Sequence, residues 1–111
     1  MIYLDNSATT NPKPQVVKNA VSKAMNYYSF NSGRGGYKES VNTSNMIFTV
    51  REKIADMFSF SPQNIAFVPN CTFALNYAIK GIAKPGDHFI ISNLEHNAVV
   101  RPIYSLYEKG I

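Results

Sequence analysis

The alternation of apolar and polar positions divides the chain into segments with different periods. After the short apolar "IYL", the stretch "NSATTNPKP" is dense in turn formers, and Pro12 and Pro14 bias the residues before them toward extended backbone. This predicts an extended arm over residues 1–14. From Gln15, Val16, Val17, Ala20, Val21, Ala24 and Met25 recur at helical spacing, and "NYYSFNSGRGGYKES" then breaks the period. A helix followed by a glycine-rich loop is expected. Ile47, Val50, Ile54, Met57 and Phe58 mark the apolar face of a second helix, with Arg51, Glu52, Lys53 and Asp56 mostly opposite, and "SFSPQN" ends it.

The second half has a shorter rhythm. "IAFVP" is apolar, partly β-branched and closed by Pro69, which predicts a buried strand. Leu75, Ala78, Ile79 and Ile82 predict a third helix, stopped by the turn "KPGD". "HFIIS" reads as another buried strand. Val99, Val100, Ile103, Leu106 and Tyr107 space as a last helix running to "EKG". Strands alternating with helices imply parallel pairing through right-handed crossovers, hence an α/β class. Two core strands are too few for a complete doubly wound sheet, so the pattern reads as one partial domain, the beginning of something larger. There is no internal repeat and no interdomain linker in the pattern.

Composition narrows this picture. The chain has 111 residues, 45% of them hydrophobic and 16% charged, enough for one domain with a modest core. Its net charge of +4 arises from 11 basic and 7 acidic residues. The basic residues are scattered, whereas a nucleic-acid surface concentrates them, so no nucleic-acid partner is expected. Cys71 is the single cysteine, which excludes an intramolecular disulfide and a zinc site built from several thiolates. No export signal or apolar run of membrane-spanning length is present, and a cytoplasmic protein without a membrane partner is expected.

Candidate chemistry lies where strands are predicted to end, because ligands of open parallel sheets gather there against the N-termini of the following helices. In "VPNCTFALN", the amides of Cys71, Thr72 and Phe73 fall in a first helical turn and, with the Thr72 hydroxyl, can hold a phosphate. The same residues also read as a simple helix cap by Asn70 or Thr72. In "SNLEHNAVV", His96 is placed to stack on a planar ligand or to move a proton, or it is a turn histidine near a helix start. Residue types alone do not separate these readings. His88 lies at the wrong end of its predicted strand and receives no role. Cys71 has no base placed near it and reads as a small residue beside the phosphate position. "GRGG" at 33–36 lacks the spacing of a phosphate loop.

Three segments in order resemble the class V aminotransferase family of pyridoxal-phosphate enzymes, particularly the cysteine desulfurases: "YLDNSATTNPKPQVV", "FVPNCTFALNYAI" and "GDHFIISNLEHNAVVRP". The resemblance covers essentially the whole chain. It implies the N-terminal portion of a fold-type I large domain, with helices around a partial sheet and pyridoxal 5'-phosphate as cofactor. Carried over by position, Thr72 is similar to the phosphate-binding threonine, Cys71 to the preceding residue that lends its amide, and His96 to the histidine stacked on the pyridine ring. Ala8 and Thr9 fall in the arm that borders the substrate pocket in relatives. Asn70 stands where glycine is common, Phe73 replaces a glutamate, and Arg34 and Tyr37 replace histidines found in many desulfurases.

The implied parent activity is conversion of cysteine to alanine with sulfur transfer to an enzyme thiol, in a homodimer that serves a sulfur-acceptor protein. A selenocysteine lyase, an aminotransferase of a small amino acid and a noncatalytic binding module are the alternatives. The family's imine-forming lysine, its pyridinium aspartate and its sulfur-accepting cysteine all come downstream of the histidine motif. Lys80, Lys84 and Lys109 do not match that lysine, so no catalytic residue is assigned and this chain by itself is expected to be inactive.

Overall fold

The computed structural model describes residues 2–111; Met1 of the predicted arm lies outside the described residues. Its elements are helices α1 (Gln15–Tyr27), α2 (Lys38–Phe58), α3 (Cys71–Ile82) and α4 (Asn97–Tyr107), with a short 3-10 turn at Pro62–Asn64. They fall into two compact units, the first ending at Ile65 and the second running Ala66–Ile111.

In the first unit the arm is irregular, with the Asn6 side chain donating to the Tyr3 carbonyl at 3.3 Å. α1 starts directly after Pro14, whose extended conformation precedes the first helical residue. α2 begins earlier than the apolar period predicts, because its first turn is anchored by hydroxyls that carry no hydrophobic signal. Ser40 is fully buried, and its hydroxyl lies 2.7 Å from both the Asn31 and the Gly35 carbonyl oxygens. Ser44 donates to the Ser32 carbonyl at 2.7 Å.

Those bonds tie the glycine-rich loop down onto α2. Phe30 and Tyr37 meet edge to face across its base, with ring centroids 6.3 Å apart. A Cβ at Gly35 would come within 2.8 Å of the Ser40 Cβ, so the close approach requires glycine there. α2 ends at Ser59, which is left-handed at φ 56, and the Phe60 amide reaches back to the Ala55 carbonyl at 2.9 Å. The chain then turns so that Pro62–Asn64 packs against α2.

In the second unit α3 packs against α4. α4 buries Ala98, Pro102 and Leu106, a stripe at four-residue spacing. Pro102 is interior to the helix and gives no N-H to the Ala98 carbonyl, a loss tolerated where the ring itself is buried. The predicted turn at Lys84–Asp87 is present. Gly86 has φ +88, the Asp87 amide donates to the Lys84 carbonyl at 3.0 Å, and the Lys84 amide donates to the Asp87 carboxylate at 2.7 Å.

The predicted strands are not formed: among the described residues, 65–69 and 88–92 are irregular and no sheet is present. A strand exists through its ladder, and neither apolar run has one here. Ile65 keeps an extended conformation, while Phe67 is 49% exposed and Ile90 92% exposed. The α/β expectation therefore holds for its helices, and its partial sheet is not formed among the described residues.

Ser40→Ala removes the hydroxyl shared by two carbonyls and is expected to cost about 1–3 kcal/mol. Urea unfolding, with hydrogen exchange followed over residues 31–44, should show the loop amides losing protection before the body of α2. Unaltered protection would show that Ser40 does not organise the loop.

Candidate functional site

The site is built from two helix beginnings in the second unit. At the first, Asn70 is the cap of α3: its side-chain oxygen accepts from the Phe73 amide at 3.0 Å, and its carbonyl accepts from the Ala74 amide at 3.1 Å. This corrects the expectation that the Phe73 amide is open to a ligand. Among the described residues the Cys71 and Thr72 amides have no protein acceptor, so capping and two open first-turn donors coexist. The positive end of α3 lies at the same place.

At the second beginning His96 is itself the cap. Its Nδ1 accepts from the Ala98 amide at 3.1 Å. An accepting Nδ1 assigns the proton of the neutral ring to Nε2 and fixes the imidazole at the mouth of α4. Histidine is not a favoured capping residue, which is why sequence reasoning puts His96 beside a helix start without giving it this bond.

Thr72 and His96 line one cavity of about 580 Å³, within the size range of small-ligand sites. α3 contributes Thr72, Asn76 and Lys80, and α4 contributes Asn97, Arg101 and Ser105. Each trio is spaced i, i+4, i+8 and so forms one polar stripe along its helix. The Asn76 side chain donates to the Thr72 carbonyl at 3.0 Å, tying one turn of the α3 stripe to the next. Among the described residues no carboxylate lines the cavity.

Cys71 adjoins Thr72 without lining this cavity, and its thiol is exposed. Phe73 meets Tyr77 edge to face at 5.9 Å and does not line the cavity. His88 is exposed and also outside it. Ala8, Thr9, Arg34 and Tyr37 belong to the first unit. In that unit Thr9 accepts a bond from the Lys13 ammonium. Asn76, Arg101 and Ser105 are not found by motif reading, and Lys80 is read only as a helix-closing residue. Their signal is the pair of polar stripes, which a search for apolar periodicity passes over.

The family profile described as aminotransferase class-V matches residues 2–111. The chain belongs to the class-V aminotransferase family. Among curated relatives it is 32% identical to a probable cysteine desulfurase of Methanothermobacter thermautotrophicus over 111 residues, which cover 99% of this chain and 28% of that protein. It is 34% identical to the cysteine desulfurase IscS of Vibrio campbellii over 114 residues, covering 98% of this chain and 28% of that enzyme. With the IscS of Clostridium botulinum the identity is 30% over 115 residues, with the same two coverages of 98% and 28%. The chain thus spans less than a third of the length of these relatives. No solved structure matches it. No described helix is long and apolar enough to cross a membrane, and no cluster of metal-ligating side chains is present among the described residues.

Replacing Asn70 by Ala removes the α3 cap and should cost about 1 kcal/mol of stability. Asn70→Asp keeps an acceptor at the positive helix end and should cost less. Amide exchange at Phe73 reads the bond directly: it should accelerate in the Ala variant and stay slow in the Asp variant.

Proposed function

We propose that this chain is the opening part of the cofactor-binding domain of a pyridoxal 5'-phosphate enzyme acting on cysteine. The observation that carries this reading is that Thr72 and His96, from two separate helix starts, line one cavity in a chain of the class-V aminotransferase family. Relatives described as cysteine desulfurases favour cysteine as the amino acid substrate.

The residues present fit a phosphorylated pyridine. The open Cys71 and Thr72 amides, the Thr72 hydroxyl and the positive end of α3 suit a phosphate, since together they are oriented donors beside a favourable dipole. His96, held through Nδ1, can lay its ring face against a planar heterocycle while Nε2-H remains a donor. The cofactor, when bound, supplies an electron sink for the substrate's reacting carbon. The roles assigned to this chain are binding and orientation: Thr72 and the α3 amides hold the anionic end, and His96 sets the plane of the ring.

Read this way, 65–69 and 88–92 are the strands of a fold-type I sheet whose neighbours lie in other parts of the protein. The lysine and the acceptor cysteine are likewise supplied elsewhere, in a cytoplasmic homodimer that passes sulfur to a partner protein. The 111-residue chain alone is then a binding body without a catalyst.

Two measurements test this. In the full-length protein Thr72→Val and His96→Ala should each lower cofactor retention, read as absorbance after dialysis and as affinity by titration; unchanged values in both variants would sink the assignment. The purified 111-residue chain should release no alanine from cysteine, and measurable turnover would overturn its placement as a noncatalytic part.

A further inference from the structure

We infer that Arg101, assisted by Lys80, is a positioning residue of the α3–α4 cavity that supplies the counter-charge for the anionic end of its ligand. The inference rests on the cofactor reading above and deepens it. A phosphate monoester is close to dianionic at neutral pH. The groups already assigned to it, two backbone amides and a threonine hydroxyl, are neutral. They orient an anion and carry no formal charge against it. The cavity that Thr72 lines is also lined by two cations on facing helices, Lys80 of α3 and Arg101 of α4, and among the described residues by no carboxylate.

An ordinary surface role explains Arg101 less well than Lys80. Lys80 sits in the last turn of α3, where a cation also complements the helix dipole. Arg101 is interior to α4, so no helix end accounts for its charge. Next to it on α4, Ala98, Pro102 and Leu106 are buried, and Ala98 and Pro102 line the same cavity as the stripe of Asn97, Arg101 and Ser105. Arg101 lies one helical turn beyond Asn97, and helical geometry tilts long side chains back toward the N-terminus, toward the end that His96 caps. A guanidinium there can take two phosphate oxygens at once, or act at longer range on their charge.

The test uses the full-length protein with Arg101→Gln, Lys80→Gln and the double variant, all on exposed side chains so that folding is spared. Lys84→Gln, exposed and outside the cavity, is the control. Calorimetric titration with pyridoxal 5'-phosphate, with pyridoxal and with inorganic phosphate separates charge from ring. Each single variant should bind the phosphorylated cofactor about fivefold more weakly, the scale of one partly solvated ion pair. Pyridoxal affinity and the Lys84 variant should be unchanged. Raising the salt should weaken wild type more than the double variant.

If Thr72→Val weakens the phosphorylated cofactor while the charge variants leave it unchanged, the counter-charge role falls and the cofactor reading stands. If wild type fails to bind the cofactor yet binds inorganic phosphate in a way that needs Arg101, the cofactor reading falls and the anion role stands. Failure of wild type to bind either phosphate-bearing compound overturns both.

Discussion

The site depends on the seating of α4 through one small stripe. Ala98, Pro102 and Leu106 are the residues this helix buries, and their four-residue spacing runs beside the polar stripe, with Ala98 and Pro102 forming part of the cavity wall. Because that stripe is fixed, Asn97, Arg101 and Ser105 share the polar cavity with the stripe from α3. The His96 cap is the other end of the same constraint, since it determines where α4 starts and therefore the register of everything after it.

The helices were legible from the chain because each carries an apolar period, and the turn at Lys84–Asp87 because proline and glycine sit where that turn needs them. The strands do not form here for a physical reason. An apolar run reports that its side chains prefer burial, while a ladder requires a second backbone at hydrogen-bonding distance. At Ile90 the preference is evident in the sequence and the partner is absent, so the side chain stands almost wholly in solvent. The early start of α2 was hidden in the opposite way, in serine hydroxyls that bond loop carbonyls and add nothing to a hydrophobic pattern.

The site itself was legible in part. Thr72 and His96 stood out because motif order carries information that single residues lack, whereas Asn70 and His96 as caps emerge only from side-chain geometry. Two readings of the α3 start, a helix cap and an anion site, are geometrically compatible. One side-chain oxygen takes one amide and leaves two others open. The cations were less legible because a lysine or arginine on a helix is ordinarily a solvated residue, and only the structure shows that these two line one cavity with a second polar stripe.

The bond from the Ala98 amide to Nδ1 of His96 also has an entropic consequence. An exposed imidazole free in solution samples several rotamers, and ordering a side chain on association costs about 0.5–1.5 kcal/mol. Here the ring is already held by the helix that follows it, so that ordering is completed when α4 forms. Local folding thereby pre-organises the imidazole, and under the proposed cofactor role a planar ligand meeting it need not freeze the ring a second time.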